Sequence, residues 1–199
     1  MGATTYAEVQ EVGYRLPSDV EEAIRMTWAS DVLRYMESSH HFDGPVQKQK
    51  LLYYAQAWSL AWTGRPLFED RIEAWAKGPV VPDVWHGKPR PVGDLDTDQR
   101  AIADAVLEHY GKKTGGELSA LSHAEQPWRE ARGDLPEDAP GNTEITHDSM
   151  RREYTRQSLN GIGPVRPSTP LQDADPGHVV DLAARMGQRW SRALALLAE

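Results

Sequence analysis

The chain is 199 residues long, room for one domain with extensions or at most two small ones, and enough to bury a core without a disulfide or metal staple. It contains no cysteine, which excludes disulfides, thiolate zinc sites and a cysteine nucleophile. Its net charge of −8 disfavours a general nucleic-acid binder, because an acidic surface repels phosphate, and suits a basic partner instead.

No apolar run approaches the roughly 18–20 residues of a membrane span. The first residues lack a basic region followed by an apolar stretch, so a secretory signal is not expected and the expected location is cytoplasmic. Tyr6 to Val12 alternate weakly, as an edge strand or a loose segment. Ser18 with Glu21 three residues on reads as a helix start. A second start falls at Thr27 or Ser30, with Val32, Leu33 and Met36 forming a short apolar face. After the turn-rich stretch His40 to Pro45 comes the clearest helix, 46–63. Its stripe is Leu51, Ala55, Trp58 and Trp62, and Gly64 ends it with Pro66 just beyond.

Ile72, Ala74 and Ala76 alternate with polar or aromatic neighbours, which predicts a short strand within 67–76. Gly78-Pro79-Val80-Val81-Pro82 cannot be helix interior; it reads as a turn, with Pro82 opening a short helix over 82–86. Helices are predicted over 98–111, capped by Thr97 or Asp98, and over 117–124 after Gly115-Gly116. A further turn of helix opens at Pro127-Trp128, and another helix runs from Thr146 or His147 to 158. Four prolines and three glycines mark 160–177 as linker. A closing helix carries Val179, Leu182, Met186, Trp190, Ala193 and Leu197 on one face.

The residues that could carry chemistry read mostly as structure. His40, His41 and Asp43 sit in a turn, where neighbouring side chains diverge, so exposed loop polarity is the better reading than a metal site. Ser119, Ser122 and His123 are close in sequence but lie on a predicted helix with no nucleophile elbow. Gly161-Ile162-Gly163-Pro164 lacks the following helix of a phosphate loop. Arg151, Arg152 and Arg156 line one short helix, diluted by Glu153, and read as a solvated face. No metal or cofactor is expected.

One constellation goes further. Gln49-Lys50-Leu51-Leu52-Tyr53-Tyr54-Ala55-Gln56-Ala57-Trp58 is followed by Gly64-Arg65-Pro66-Leu67-Phe68, Ile72-Glu73-Ala74-Trp75, and Gly78-Pro79-Val80-Val81-Pro82 ending at Val84-Trp85. His123 with Pro127-Trp128 follows. In order and spacing these elements resemble the Panacea antitoxin-domain family, the SocA-like and phage-associated GepA-like proteins. Lys48 stands where an apolar residue is commoner, and Trp85 replaces the usual tyrosine.

The resemblance implies a mainly α protein: a single helical domain with a small β-strand or hairpin element, joined here by a C-terminal amphipathic helix. The domains expected are an extension over 1–25, the Panacea-like domain over 26–158, a linker over 159–177 and the helix over 178–199. The resemblance further implies a non-enzymatic antitoxin that neutralises a cognate protein toxin, encoded by a neighbouring gene, through direct binding. It carries over no catalytic residue. Lys50, Leu51, Leu52, Tyr54, Ala55, Trp58, Gly64, Gly78, Val80 and Pro82 are then structural motif positions. Tyr53, Trp75, Pro79, Trp85, His123, Trp128 and Trp190 are candidates for touching the partner. A proteolytic adaptor, a hydrolase using His123 and a DNA-binding autoregulator are the rival functions, and the oligomeric state is left open.

Overall fold

The computed structural model describes residues 26–136 and 138–168. The expected N-terminal strand and helix start, the helix over 178–199 and its Trp190 lie outside the described residues. In chain order the elements are α1 (Ala29–Ser39), α2 (Pro45–Thr63), β1 (Glu73–Trp75), β2 (Gly78–Val80), α3 (Pro82–Trp85), α4 (Thr97–Tyr110), α5 (Gly115–Ala124), α6 (Gln126–Arg132) and α7 (His147–Leu159). The described chain is therefore mainly helical with one small antiparallel hairpin, as the sequence predicts.

Helix α2 is the axis of the described helical domain. The apolar stripe Leu51, Ala55, Trp58, Trp62 suggests one buried face, yet every residue from Lys50 to Leu60 is buried. A helix covered on all sides must be apolar all round or must spend its polar side chains on specific partners. Both hold here. α7 brings Met150 and Tyr154, α4 brings Ile102, Ala103, Val106 and Tyr110, α5 brings Leu118 and α1 brings Val32 and Met36. Tyr54 stacks on Tyr110 at 4.1 Å, and Trp58 meets Tyr154 edge-on at 5.1 Å. The Trp58 indole N–H donates to the Tyr110 hydroxyl at 3.3 Å.

The polar residues of α2 clamp irregular backbone. Gln56 Oε1 accepts from the N–H groups of Leu67 and Phe68 at 2.7 and 3.1 Å, and its Nε2 donates to the Phe68 carbonyl at 2.9 Å. One side chain thus satisfies three backbone groups of a segment with no ladder of its own, which is why 65–72 stays irregular and the predicted strand shrinks to three residues. Gln49 Oε1 accepts from Val81 N at 2.7 Å. Gln47 Nε2 donates to the carbonyls of Gly111 and Lys113 at 3.1 and 2.7 Å, tying α2 to the end of α4.

The stretch read as a turn, Gly78 to Val80, is strand β2. It pairs antiparallel with β1 in the register Glu73 with Val80, Ala74 with Pro79 and Trp75 with Gly78. The reversal itself is Ala76-Lys77, completed by Gly78 at φ +97°. On the far side of β1, Ala74 N donates to Thr143 O at 2.9 Å and Ile145 N donates to Ile72 O at 2.8 Å.

Two helix starts are closed capping boxes. Asp96, one residue ahead of the expected Thr97 or Asp98, accepts from Gln99 N at 2.8 Å while Gln99 reaches back to Asp96 N at 2.9 Å. Thr114 and Glu117 do the same for α5, so the helix begins at Gly115 and includes the glycine pair expected to precede it. Asp96→Ala should therefore lower stability by about 1 kcal/mol in urea titration. An unchanged midpoint would mean that α4 is held by packing alone.

No helix opens after Gly161-Ile162-Gly163-Pro164 among the described residues. The segment turns back onto the core, where a Cβ on Gly163 would lie 2.1 Å from the Trp58 ring.

Candidate functional site

The hairpin, the first turns of α2, the tip of α3 and the segment 140–142 enclose a cleft of about 730 Å³. Val46, Gln49 and Lys50 come from α2, Trp75 to Lys77 and Val80 from the hairpin, and Trp85 from α3. Short elements can hold this shape because each is fixed from behind. Trp75 presents its carbonyl to the Trp128 indole N–H at 3.0 Å, and its own indole N–H donates to Glu73 Oε2 at 2.8 Å. Its ring meets Trp85 edge-on at 5.8 Å. Trp85 is 45% exposed, a large apolar side chain left in solvent at the rim.

Lys50 lies at the floor with only 1% of its surface accessible. Its Nζ donates to the Pro79 carbonyl at 2.9 Å. The side chain reaches that position because Gly78 lacks a Cβ: one built there would lie 2.8 Å from both Lys50 Cε and Nζ, and 2.9 Å from Ser122 Oγ. Burial without a carboxylate partner among the described residues disfavours the charged form and lowers the Lys50 pKa to about 7. Glu73, also on the cleft wall, is already engaged by Arg71 Nη2 at 2.6 Å and by the Trp75 indole.

Trp75 and Trp85 are thus brought together at the cleft with Lys50 and Val80. Pro79 is buried and contributes its carbonyl to Lys50. His123 and Trp128 form a separate stack behind the hairpin, rings 4.0 Å apart and nearly parallel, with the Arg132 guanidinium 5.5 Å from the Trp128 centroid. Trp128 is nearly buried. Tyr53, expected at the surface as a partner contact, is instead fully buried, because α2 is covered on the face that carries it. Its ring packs against Tyr54 and Tyr154.

The other sequence candidates resolve into local bonds. Ser119 Oγ donates to Lys77 O at 2.7 Å and Ser122 Oγ to Ser119 O at 2.9 Å, so both hydroxyls face backbone carbonyls while the neighbouring imidazole stacks on tryptophan. Asp43 Oδ2 accepts from Gly115 N at 3.0 Å, and the His40 ring lies edge-on to Phe42. Arg151, Arg152 and Arg156 each pair with a carboxylate, from Asp148, Glu130 and Glu153. The basic face of α7 is therefore largely neutralised.

Two roles escaped the sequence reading. Lys50 was placed there only as a motif residue, although a lysine followed at once by Leu-Leu-Tyr-Tyr-Ala is itself a signal of a buried charge. Glu125, just ahead of α6, accepts from the Tyr154 hydroxyl at 2.6 Å and is pushed up to about 7 by burial. It joins the start of α6 to α7.

A mainly helical domain with a hairpin-and-lysine cleft is the class that this geometry defines. Residues 49–129 match the family model described as Antitoxin SocA-like, Panacea domain. The matched stretch holds α2 from Gln49, the hairpin and the helices through the His123–Trp128 stack, and it is less than half of the 199-residue chain. No curated protein and no solved structure matches the chain. No helix among the described residues is long and apolar enough to cross a membrane.

Proposed function

We propose that this protein is an antitoxin that neutralises a cognate protein toxin by direct binding in the cytoplasm, with residues 26–158 as the binding domain and the cleft as its contact face. The observation that carries the reading is the Trp75–Trp85 pair, with an exposed indole at the mouth of an apolar cleft, inside a stretch that matches an antitoxin-like family. Aromatic side chains at the rim of a desolvated pocket are the usual anchors of protein interfaces. The two serines, His123 and the α7 arginines are each occupied by structural bonds, which favours contact over catalysis or DNA binding as the mode of action.

The test is co-expression with the product of the neighbouring gene. Rescue of growth and co-purification of a complex are expected, and a soluble, well-expressed protein that gives no rescue would refute the reading. Trp85→Ala should weaken the complex by about 2 kcal/mol, roughly 30-fold, and leave the melting temperature within a degree or two. Equal loss of stability and binding would place Trp85 in the fold and not in the interface.

A further inference from the structure

We infer that the cleft recognises an acidic side chain of the bound toxin, an aspartate or glutamate flanked by apolar residues, whose carboxylate seats on Lys50 beside the Trp75–Trp85 pair. The inference rests on the antitoxin reading for the identity of the partner, and on the following geometry for the chemistry.

An ammonium has three donors, and Lys50 uses one of them, on the Pro79 carbonyl. No carboxylate pairs with it among the described residues, and the acidic residue of the cleft wall, Glu73, is held by Arg71 and Trp75. A lysine this deeply buried is stable only as the neutral amine or as an ammonium with an anion beside it. A carboxylate arriving from outside supplies that anion and leaves both groups desolvated and hydrogen-bonded. The rest of the floor and rim is suited to the same group. Gln49 faces the cleft with its Oε1 already occupied by Val81 N, so its amide N–H groups are what it can offer. Lys77 and Asn142 stand at the edge, and Val46, Val80 and the two indoles are the apolar surface for flanking side chains. A phosphate-sized polyanion fits this cleft poorly, because the single buried cation is surrounded by apolar walls. The Lys50 pKa is lowered by burial, which disfavours the charged form.

The experiment uses the full chain with ¹³Cε-labelled lysine and two probes of equal shape, 3-phenylpropanoate and 3-phenylpropanamide. The carboxylate should bind about ten-fold or more tightly than the amide, should raise the Lys50 titration midpoint by at least one unit, and should compete with the toxin for the protein. Lys50→Met should abolish the preference for the carboxylate. If that variant does not fold, the Lys50 resonance of the unsubstituted protein carries the result alone. Equal binding of the two probes, an unmoved Lys50 resonance, or a titration midpoint near the ordinary lysine value before any probe is added would overturn the inference. The last outcome would mean that another part of this chain already supplies the anion. Probe binding without competition against the toxin would overturn the partner assignment. Neutralisation in cells is read separately: intact rescue with no carboxylate preference sinks this inference alone, and absent rescue sinks the antitoxin reading.

Discussion

Gly78→Val should lower stability by about 4 kcal/mol, seen as a fall in the urea midpoint at constant slope. Two effects add. At φ +97° a branched side chain is strained by roughly 1–3 kcal/mol. The new Cβ would also lie 2.8 Å from Lys50 Cε and Nζ and 2.9 Å from Ser122 Oγ, and displacing packed side chains adds about another 1–3 kcal/mol. Gly64→Val is the matched control. Gly64 also has positive φ, +72°, but a Cβ there meets nothing within 4 Å. The control should show the strain without the overlap, so the difference between the two variants measures how tightly Lys50 is packed against the hairpin. Equal effects would mean that Lys50 withdraws easily, and that the floor of the cleft is softer than its geometry implies.

Lys50→Met should be more stable than the unsubstituted protein near pH 7, with the advantage shrinking as the pH is raised towards 10.5. The Lys50 pKa falls from 10.5 in the unfolded chain to about 7 in the folded one. Its neutral form is favoured on folding, so its contribution to stability is intact above the unfolded value and declines as pH falls towards about 7. At about 1.4 kcal/mol per pH unit the swing is on the order of 3–5 kcal/mol across that window. Methionine does not titrate, so the variant lacks the swing and gives up only one hydrogen bond, worth about 1 kcal/mol. Glu125 works in the opposite sense and in another window. Raised from 4.5 to about 7, it favours the folded state below 4.5 and loses that contribution as pH rises through 7. Subtracting variant from parent cancels Glu125 and the tyrosines. A difference in urea midpoint that stays flat between pH 7 and pH 10 would show that Lys50 is charged throughout.

Much of the fold was legible in the sequence, and the reasons differ by element. α2 and its end at Gly64 were read from apolar periodicity and helix-stop chemistry, which are local signals. α4, α5 and α7 fell within a residue or two for the same reason. The hairpin was read partly as a turn, because Gly78-Pro79 carries strong turn propensity and only the cover from Gln49, Lys50 and residues 143–145 makes it a strand. Long-range cover of that kind leaves no mark on spacing. The burial of Tyr53 was misread for a related reason: a single stripe on α2 implies one inward face, whereas α7, α5 and α4 surround it. At the cleft, Trp75 and Trp85 were named from the sequence as contact residues, and the structure places them at one rim. The part played by Lys50 depended on where its ammonium ends, more than twenty residues along the chain from its own helix turn.

The hairpin's edges carry one more consequence. A two-stranded sheet ordinarily offers two free borders to any passing extended chain. Here residues 143–145 lie along β1, and on β2 the middle residue is Pro79, which has no N–H and whose carbonyl is taken by Lys50; Val80 is paired with Glu73 of β1, and the N–H of Val81 goes to Gln49. Neither border can recruit a third strand. A chain that approaches this surface therefore finds no open main-chain border on the hairpin and meets side chains instead.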